Sequence, residues 1–600
     1  MRNIYLLLLI LISSISCQRS SDYMPATVMN KPQEKIIIYQ MMTRLFGNKE
    51  TTNKKYGTLE ENGVGKFNDI TTEALQAIKE LGITHIWYTG VLEHALLTDY
   101  TEYGIPLDDA DVVKGRAGSP YAIKDYYDVN PDLAVDVPNR MKEFEALIQR
   151  THEQALKVVI DFVPNHVARA YKSDAKPEEV IDLGVRDNKN VAFHPNNNFY
   201  YLPGQRFVVP EGYESLGPDN DFPTKDGKFD EYPAKATGND QFTASPSVHE
   251  WFETVKLNYG VDYQDERKKY FEPVPDTWHK MKDILVFWVK KGVDGFRCDM
   301  AEMVPVEFWA WAIPQVKEVN KDIIFIAEIY NPAEYSNYIN TGRFDYLYDK
   351  VQLYDTLRLL INEKSSTLHI GEIQESLKGI NHNMLHFLEN HDEQRIASEF
   401  FAGNPWKAIP AMVISAMIDQ GPVMIYFGQE VGEPGAGDEG FQGEDGRTTI
   451  FDYWGVPEHQ KWMNGGRFDG MQLSDEQKQL RKSYADILHL AAKQPAITKG
   501  NYLDITQSNV AAGNIPESCH AFLRFTEGQV LLIVSGFNAR NQEIRIELSK
   551  TQAQQAGLSA DRDYRLTNML GESFRLKLND LQTEFELPAH SAYVFNVSED

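Results

Sequence analysis

Short apolar runs, each closed by polar residues, alternate along this chain with stretches whose apolar positions recur every three or four residues. Residues 36–39, 84–88 and 158–161 read as strands. Residues 71–81 and 141–155 read as amphipathic helices, the first stopped by Gly82. The same alternation predicts further strands at 295–299, 323–328, 344–347, 384–388 and 423–427. Strands that alternate with helices imply a parallel sheet. Eight of them imply an α/β fold closed into a (β/α)8 barrel, whose chemistry sits at the strands' C-terminal ends.

Three regions break the rhythm. Residues 167–255 are rich in Gly, Pro, Asp and Asn and too long for a plain connection, so they read as an excursion between the third and fourth strands. Residues 428–446 form a charged, glycine-rich loop after the eighth strand, placed to shape a cleft. From residue 499 to 600 helices drop out of the pattern. Short strands are expected at 521–525, 530–534, 543–548, 574–578 and 592–597, which is the pattern of an antiparallel β-sandwich.

The N-terminus reads as an export signal. Met1-Arg2-Asn3 precedes an apolar run over residues 4–12 and then Ser13-Ser14-Ile15-Ser16-Cys17. The run is too short to span a bilayer well. A cysteine at the cut site resembles a bacterial lipoprotein signal over residues 1–17, with Cys17 as the lipidated residue and residues 18–34 as a flexible tether. Ser14 stands where leucine is usual, so cleavage by an ordinary signal peptidase is the alternative. The expected location is a Gram-negative cell envelope, periplasmic or outer-membrane-associated, with the membrane reached through the lipid anchor. Protein partners are not legible.

Composition narrows the classes. The 600 residues are 42% apolar and 12% aromatic, enough for a large core. The formal charge of −27 argues against nucleic acid as a partner, since no basic patch exists to neutralise phosphates. Beyond Cys17 the chain has only Cys298 and Cys519, in different predicted domains, so no disulfide framework is expected.

The chemistry gathers at strand ends. In Gly295-Phe296-Arg297-Cys298-Asp299 the alternation of a strand puts Arg297 and Asp299 on one face and Cys298 on the other. A guanidinium beside a carboxylate keeps it ionised and aimed, as a carboxylate nucleophile needs. Asp161-Phe162-Val163-Pro164-Asn165-His166 precedes it; Phe325-Ile326-Ala327-Glu328 and Glu389-Asn390-His391-Asp392 follow. Singly, these read as a structural ion pair, a helix cap, a turn or a zinc site. Four such endings in order are hard to attribute to chance.

Together the four segments resemble the four sequence regions of the α-amylase superfamily, glycoside hydrolase family 13. Val255-Lys256-Leu257-Asn258 resembles its fifth, minor region. The resemblance covers roughly residues 35–600. It implies a catalytic barrel over 35–166 and 256–498, domain B over 167–255 and domain C over 499–600. It further implies Asp299 as nucleophile, Glu328 as general acid and then base, and Asp392 as the third carboxylate. Arg297, His166, His391 and Tyr121 would bind substrate, and Asp161 would support the arginine. Asn165 matches a family calcium ligand, but Met300-Ala301-Glu302 stands where the family carries Lys-His, which leaves a structural calcium open. No cofactor is required for the chemistry. The implied activity is retaining hydrolysis of α-glucosidic, chiefly α-1,4, bonds in starch-like glucans or maltooligosaccharides. An α-glucanotransferase using the same covalent intermediate is the alternative, and a non-catalytic glycan-binding envelope lipoprotein a third reading.

Overall fold

The computed structural model describes residues 35–217, 221–438 and 443–599. The signal segment, Cys17 and the tether lie outside the described residues. Eight parallel strands form a closed barrel in chain order: β1 Ile37–Met42, β2 His85–Thr89, β3 Lys157–Phe162, β4 Gly295–Cys298, β5 Ile324–Ala327, β6 Tyr346–Tyr348, β7 Met384–Phe387 and β8 Val423–Tyr426. β8 pairs with β1 to close the ring.

Alternation along these strands separates two cores. Ile38, Trp87, Val159, Ile326, Leu385, Phe387 and Met424 fill the barrel interior. The opposite faces pack against surrounding helices such as Asp276–Lys290 and Val306–Val319, whose apolar sides are buried. Two residues further along each inward face the apolar layer gives way to polar groups: Gln40 after Ile38, Thr89 after Trp87, Asp161 after Val159 and Glu328 after Ile326. The barrel is therefore sealed below by hydrocarbon and lined above by hydrogen-bonding side chains, all at the strands' C-terminal ends.

The excursion after β3 is rooted by an antiparallel pair, His166–Ala168 against Thr254–Lys256. Inside it one small ladder joins Tyr201–Leu202 to Ala234–Lys235, and the rest is irregular. A second excursion, not singled out by the sequence pattern, lies between β2 and β3. There Leu92–His94 pairs antiparallel with Ile123–Val129, and its register shifts twice.

The C-terminal region has a six-stranded antiparallel sheet, in the order β9-β10-β11-β16-β13-β14. These strands are β9 Asn501–Asp504, β10 Cys519–Thr526, β11 Gln529–Gly536, β13 Tyr564–Asn568, β14 Arg575–Leu578 and β16 Ser591–Glu599. A two-stranded sheet, β12 Gln542–Glu547 with β15 Gln582–Leu587, packs on it. Ile544, Ile546, Phe585 and Leu587 of the small sheet share one core with Leu532, Val534 and Phe595 of the large one. Helices are not wholly absent here, as the sequence pattern implied. Thr506–Ala511 and Lys550–Gln555 each form a short helix, the second nucleated by a Ser549–Gln552 capping box. Cys298 and Cys519 are both buried free thiols.

Candidate active site

Arg297 organises the floor of the cleft. It is fully buried, and its Nη1 donates to Asp299 Oδ1 at 2.8 Å while Nη2 lies 2.7 Å from Glu328 Oε1. Asp161 Oδ1 lies 3.8 Å from the same Nη1. Tyr348 accepts from Nε at 3.2 Å, and the guanidinium carbon lies 5.3–5.4 Å from the ring centroids of Trp87, Tyr121 and Tyr348. A planar guanidinium caged by three aromatic faces and three carboxylates cannot reorient, so the carboxylates it holds are fixed too.

The barrel ladder sets the spacing. Asp299 N–H donates to Phe162 O at 2.9 Å, and Glu328 N–H donates to Cys298 O at 3.1 Å. Parallel pairing thus continues one residue past the strand ends and places Asp161, Asp299 and Glu328 on neighbouring strands ~4.8 Å apart. Met300 takes φ 43°, a left-handed conformation that costs a non-glycine residue ~1 kcal/mol or more. That turn points its N–H at Glu328 Oε2, 2.7 Å away. Tyr330 donates to Glu328 Oε1 at 2.7 Å. The sequence did not flag Tyr330; its place two residues beyond a strand-end glutamate was the available signal.

Three carboxylates crowd one guanidinium and Asp392 feels their charge, so the four resist simultaneous ionisation. Burial raises Asp299 from its ordinary value, against the pull of Arg297 and a smaller one from Glu328. Burial also raises Glu328, with Arg297 opposing and the Asp299 charge reinforcing. Asp392 moves the same way through burial and the Glu328 charge. Asp161 is pushed by burial to about 7. Asp299 Oδ1 is held by Arg297, whereas its Oδ2 accepts no bond from any fixed donor among the described residues.

His391 and Tyr121 form a second unit. Their rings stack with centroids 5.2 Å apart, and Tyr121 Oη lies 2.5 Å from His391 Nε2. Gln40 Nε2 donates to His391 Nδ1 at 2.8 Å, which makes Nε2 the N–H of a neutral ring, donated to Tyr121 Oη, with Asp392 Oδ2 3.1 Å from the same nitrogen. Burial and Arg297 hold His391 well below the usual imidazole range. Asp392 is about a third exposed (32%), so it meets both cleft and floor. Burial depresses His166 to about 4, though the Glu253 and Glu328 charges act upward. Its ring lies 5.2 Å from Trp251, which with Tyr213, Phe451 and Trp454 lines a cleft of about 570 Å³. The structure thus brings together Asp299, Glu328, Asp392, Arg297, Asp161, His391 and Tyr121, with His166 close enough to sense Glu328.

Asn165 stands apart from a metal role. Its Oδ1 accepts from Lys256 Nζ at 2.5 Å, and its Nδ2 donates to Gly238 O at 2.8 Å. Lys256 Nζ also lies 2.6 Å from Asp240 Oδ1. A buried ammonium therefore already supplies the positive charge at this oxygen, and the residues present do not fit a calcium ion there. The cause is legible in Val255-Lys256-Leu257-Asn258, where strand pairing with His166–Ala168 brings Lys256 directly beside Asn165.

Residues 40–452 match the family model described as alpha amylase, catalytic domain. The chain belongs to the α-amylase family of glycoside hydrolases. It is 24% identical over 406 residues to alpha-amylase 3 of Dictyoglomus thermophilum, covering 63% of this chain and 68% of that one. It is 25% identical over 273 residues to trehalose-6-phosphate hydrolase of Bacillus subtilis, covering 45% of this chain and only 36% of the relative's length. Among solved structures, the α-amylase of Geobacillus thermoleovorans complexed with acarbose superposes with TM-score 0.61 at 18% identity, over 95% of this chain and 99% of that one. At that identity the likeness establishes the fold.

Proposed function

We propose that this α-amylase-family protein is a retaining glycoside hydrolase that cleaves α-glucosidic, chiefly α-1,4, bonds in starch-like glucans or maltooligosaccharides. The observation that carries the reading is the Asp299–Arg297–Glu328 bridge. Inverting enzymes keep their carboxyl groups ~6.5–9.5 Å apart to admit a water, whereas retaining enzymes keep them close. Here the two carboxyls bracket one guanidinium, Asp299 Oδ1 2.8 Å from Nη1 and Glu328 Oε1 2.7 Å from Nη2.

In the first step Asp299 Oδ2 attacks the anomeric carbon as Glu328 gives its proton to the leaving oxygen. In the second, Glu328 takes a proton from water, and that water displaces the aspartyl ester. Arg297 holds Asp299 charged and aimed. Asp392 and the His391 Nε2–H face the sugar hydroxyls, and Tyr121 offers a ring for the same sugar to pack on. His166 and the aromatic cleft beyond Trp251 continue the binding surface. No step needs a cofactor. The relatives named α-amylase and the acarbose-bound neighbour support a glucan substrate. A relative named trehalose-6-phosphate hydrolase, matched over 36% of its length, keeps a small disaccharide among the substrates to try. We further propose that the protein is exported and held at the envelope through Cys17, on the strength of the N-terminal sequence.

The test is a product profile from the chain without residues 1–17, given starch, maltoheptaose, pullulan, cyclodextrins and isomaltose. Shorter maltooligosaccharides with new reducing ends are expected. Products longer than maltoheptaose with few new reducing ends would make the protein an α-glucanotransferase. Binding of glucans without turnover would make it a glycan-binding lipoprotein.

A further inference from the structure

A second concentration of acid lies away from the Arg297 cluster, where the excursion after β2 meets the start of the excursion after β3. Glu93 belongs to the short strand Leu92–His94, Asp125 and Asp128 to its partner Ile123–Val129, and Asp174 to the chain beyond Ala168. One carboxylate oxygen from each lies within 4.8 Å of all the others. Two oxygens at ~2.4 Å on opposite sides of one calcium ion would be separated by about that span.

Glu93 is the decisive member. It is 1% exposed, and neither of its carboxylate oxygens makes a hydrogen bond. Lys124 Nζ lies 3.9 Å from Oε1 but is already committed to Asp108 Oδ2 at 3.0 Å and Pro106 O at 2.7 Å. A buried carboxylate with no donor is costly, and burial with the charges of Asp174, Asp128 and Asp125 pushes Glu93 well above its usual range.

The other members are oriented from behind. Asp125 accepts from Tyr127 N, Ser173 Oγ, Asp174 N and Ala175 N at 2.6–3.0 Å. Asp128 accepts from Val129 N at 2.7 Å and from Arg140 Nε at 2.8 Å. Outer hydrogen bonds of this kind fix the ligating carboxylates of metal sites. Arg140 Nη2 reaches only to 3.9 Å from Asp174 Oδ2. Counting Asp108, five carboxylates face two cations, so negative charge remains uncompensated.

We propose that Glu93, Asp125, Asp128 and Asp174 bind one divalent cation, with calcium favoured over magnesium. Oxygen ligands of this hardness suit either ion, but the wide spacing and irregular geometry suit the larger one. Asp174 is the exposed member and gives the ion its entry. The ion would tie the hairpin that follows Tyr121 to the root of the inserted domain. It is independent of the Asn165 position, where Lys256 supplies the charge.

The test strips the full chain with EDTA, desalts it and titrates calcium chloride calorimetrically, with Tm followed in parallel. One calcium per chain is expected, with Tm rising ~2 °C or more at a hundredfold excess over Kd. Glu93→Gln and Asp174→Asn should each weaken binding ~10-fold or more. Glu93→Gln should also leave the metal-free Tm unchanged or higher, since it removes a buried like charge. Absence of binding by the intact chain would overturn the proposal, with Glu93 then a protonated acid bonded to a neighbouring carboxylate. An undiminished calcium response in both variants would overturn it equally, by placing the ion elsewhere.

Discussion

At the scale of single residues, the contacts around Glu328 define how its protonation is set. Tyr330 and the Met300 N–H both donate to its carboxylate, which favours the charged form against burial. Removing one such donor raises the pKa. For Tyr330→Phe, loss of a bond worth ~0.5–1.5 kcal/mol corresponds to an upward shift of roughly 0.4–1 unit. As the proposed general acid, Glu328 would then stay protonated to higher pH. The alkaline limb of kcat/KM against pH should move upward by that amount while the acid limb stays in place; a stationary alkaline limb would detach Tyr330 from the acid. Asp299→Asn removes the charge of the proposed nucleophile but keeps its shape and its place beside Arg297. Turnover should fall on the order of 10⁴-fold or more, with far-ultraviolet circular dichroism unchanged. Glu328→Gln should impair natural glucans far more than substrates with good leaving groups, and equal losses on both would remove Glu328 from the acid role.

At the scale of elements, each barrel strand was legible as an apolar run with a polar ending, because period-two alternation and burial act on contiguous residues. Arg297, Asp299 and Glu328 could therefore be placed on a common floor before any coordinates. What escaped depends on partners distant in sequence. Gln40 breaks an apolar run and looks like an interruption, yet it fixes the His391 tautomer across the barrel. The hairpin Leu92–His94 with Ile123–Val129 has an irregular register and only one short arm, so no periodicity marks it. Asn165 resembled a calcium ligand because its own segment carries the motif; only the pairing of Thr254–Lys256 with His166–Ala168 shows that Lys256 takes the cation's place. That pairing makes a prediction. Lys256→Met keeps the side-chain stem but leaves Asn165 Oδ1 without its donor and Asp240 without its counter-charge. With Asp240 partly exposed, the cost should be about 2–3 kcal/mol, read as a lower urea midpoint at unchanged m-value. An unaltered midpoint would mean that the ammonium contributes nothing to holding the excursion.

At the scale of the whole molecule, a second charge network lies outside the barrel interior, next to the C-terminal sandwich. His386 on β7 lies between two carboxylates, Asp419 Oδ2 at 2.9 Å from Nε2 and Asp349 Oδ2 at 3.2 Å from Nδ1. Lys35 donates to the Asp419 carbonyl, and Arg524 of β10 reaches the carbonyls of Ile418, Ala496, Ile497 and Gly500. Burial would lower His386, but Asp419 and Asp349 overcome it and raise it to about 9. A histidine raised above its unfolded value of ~6.5 stabilises fully below that pH and loses its contribution as pH rises through 9. Between pH 6.5 and 8 this amounts to ~2 kcal/mol. Lys35, lowered by burial to about 8, acts with the opposite sign, but mainly above pH 8. Asp419, held low against burial by His386, contributes above the acid range and is lost only as pH falls through it. The neutral buried rings of His94, His166 and His459 act below pH 6.5. Buried carboxylates such as Glu389, raised to about 7, add a decline common to wild type and variant. The difference between the two chains therefore reports His386 together with Asp419, which it holds low. Urea unfolding at pH 6.5 and pH 8 should show wild type losing about 2 kcal/mol more than His386→Gln over that interval, and parallel pH dependences would mean that His386 is neutral between its two aspartates.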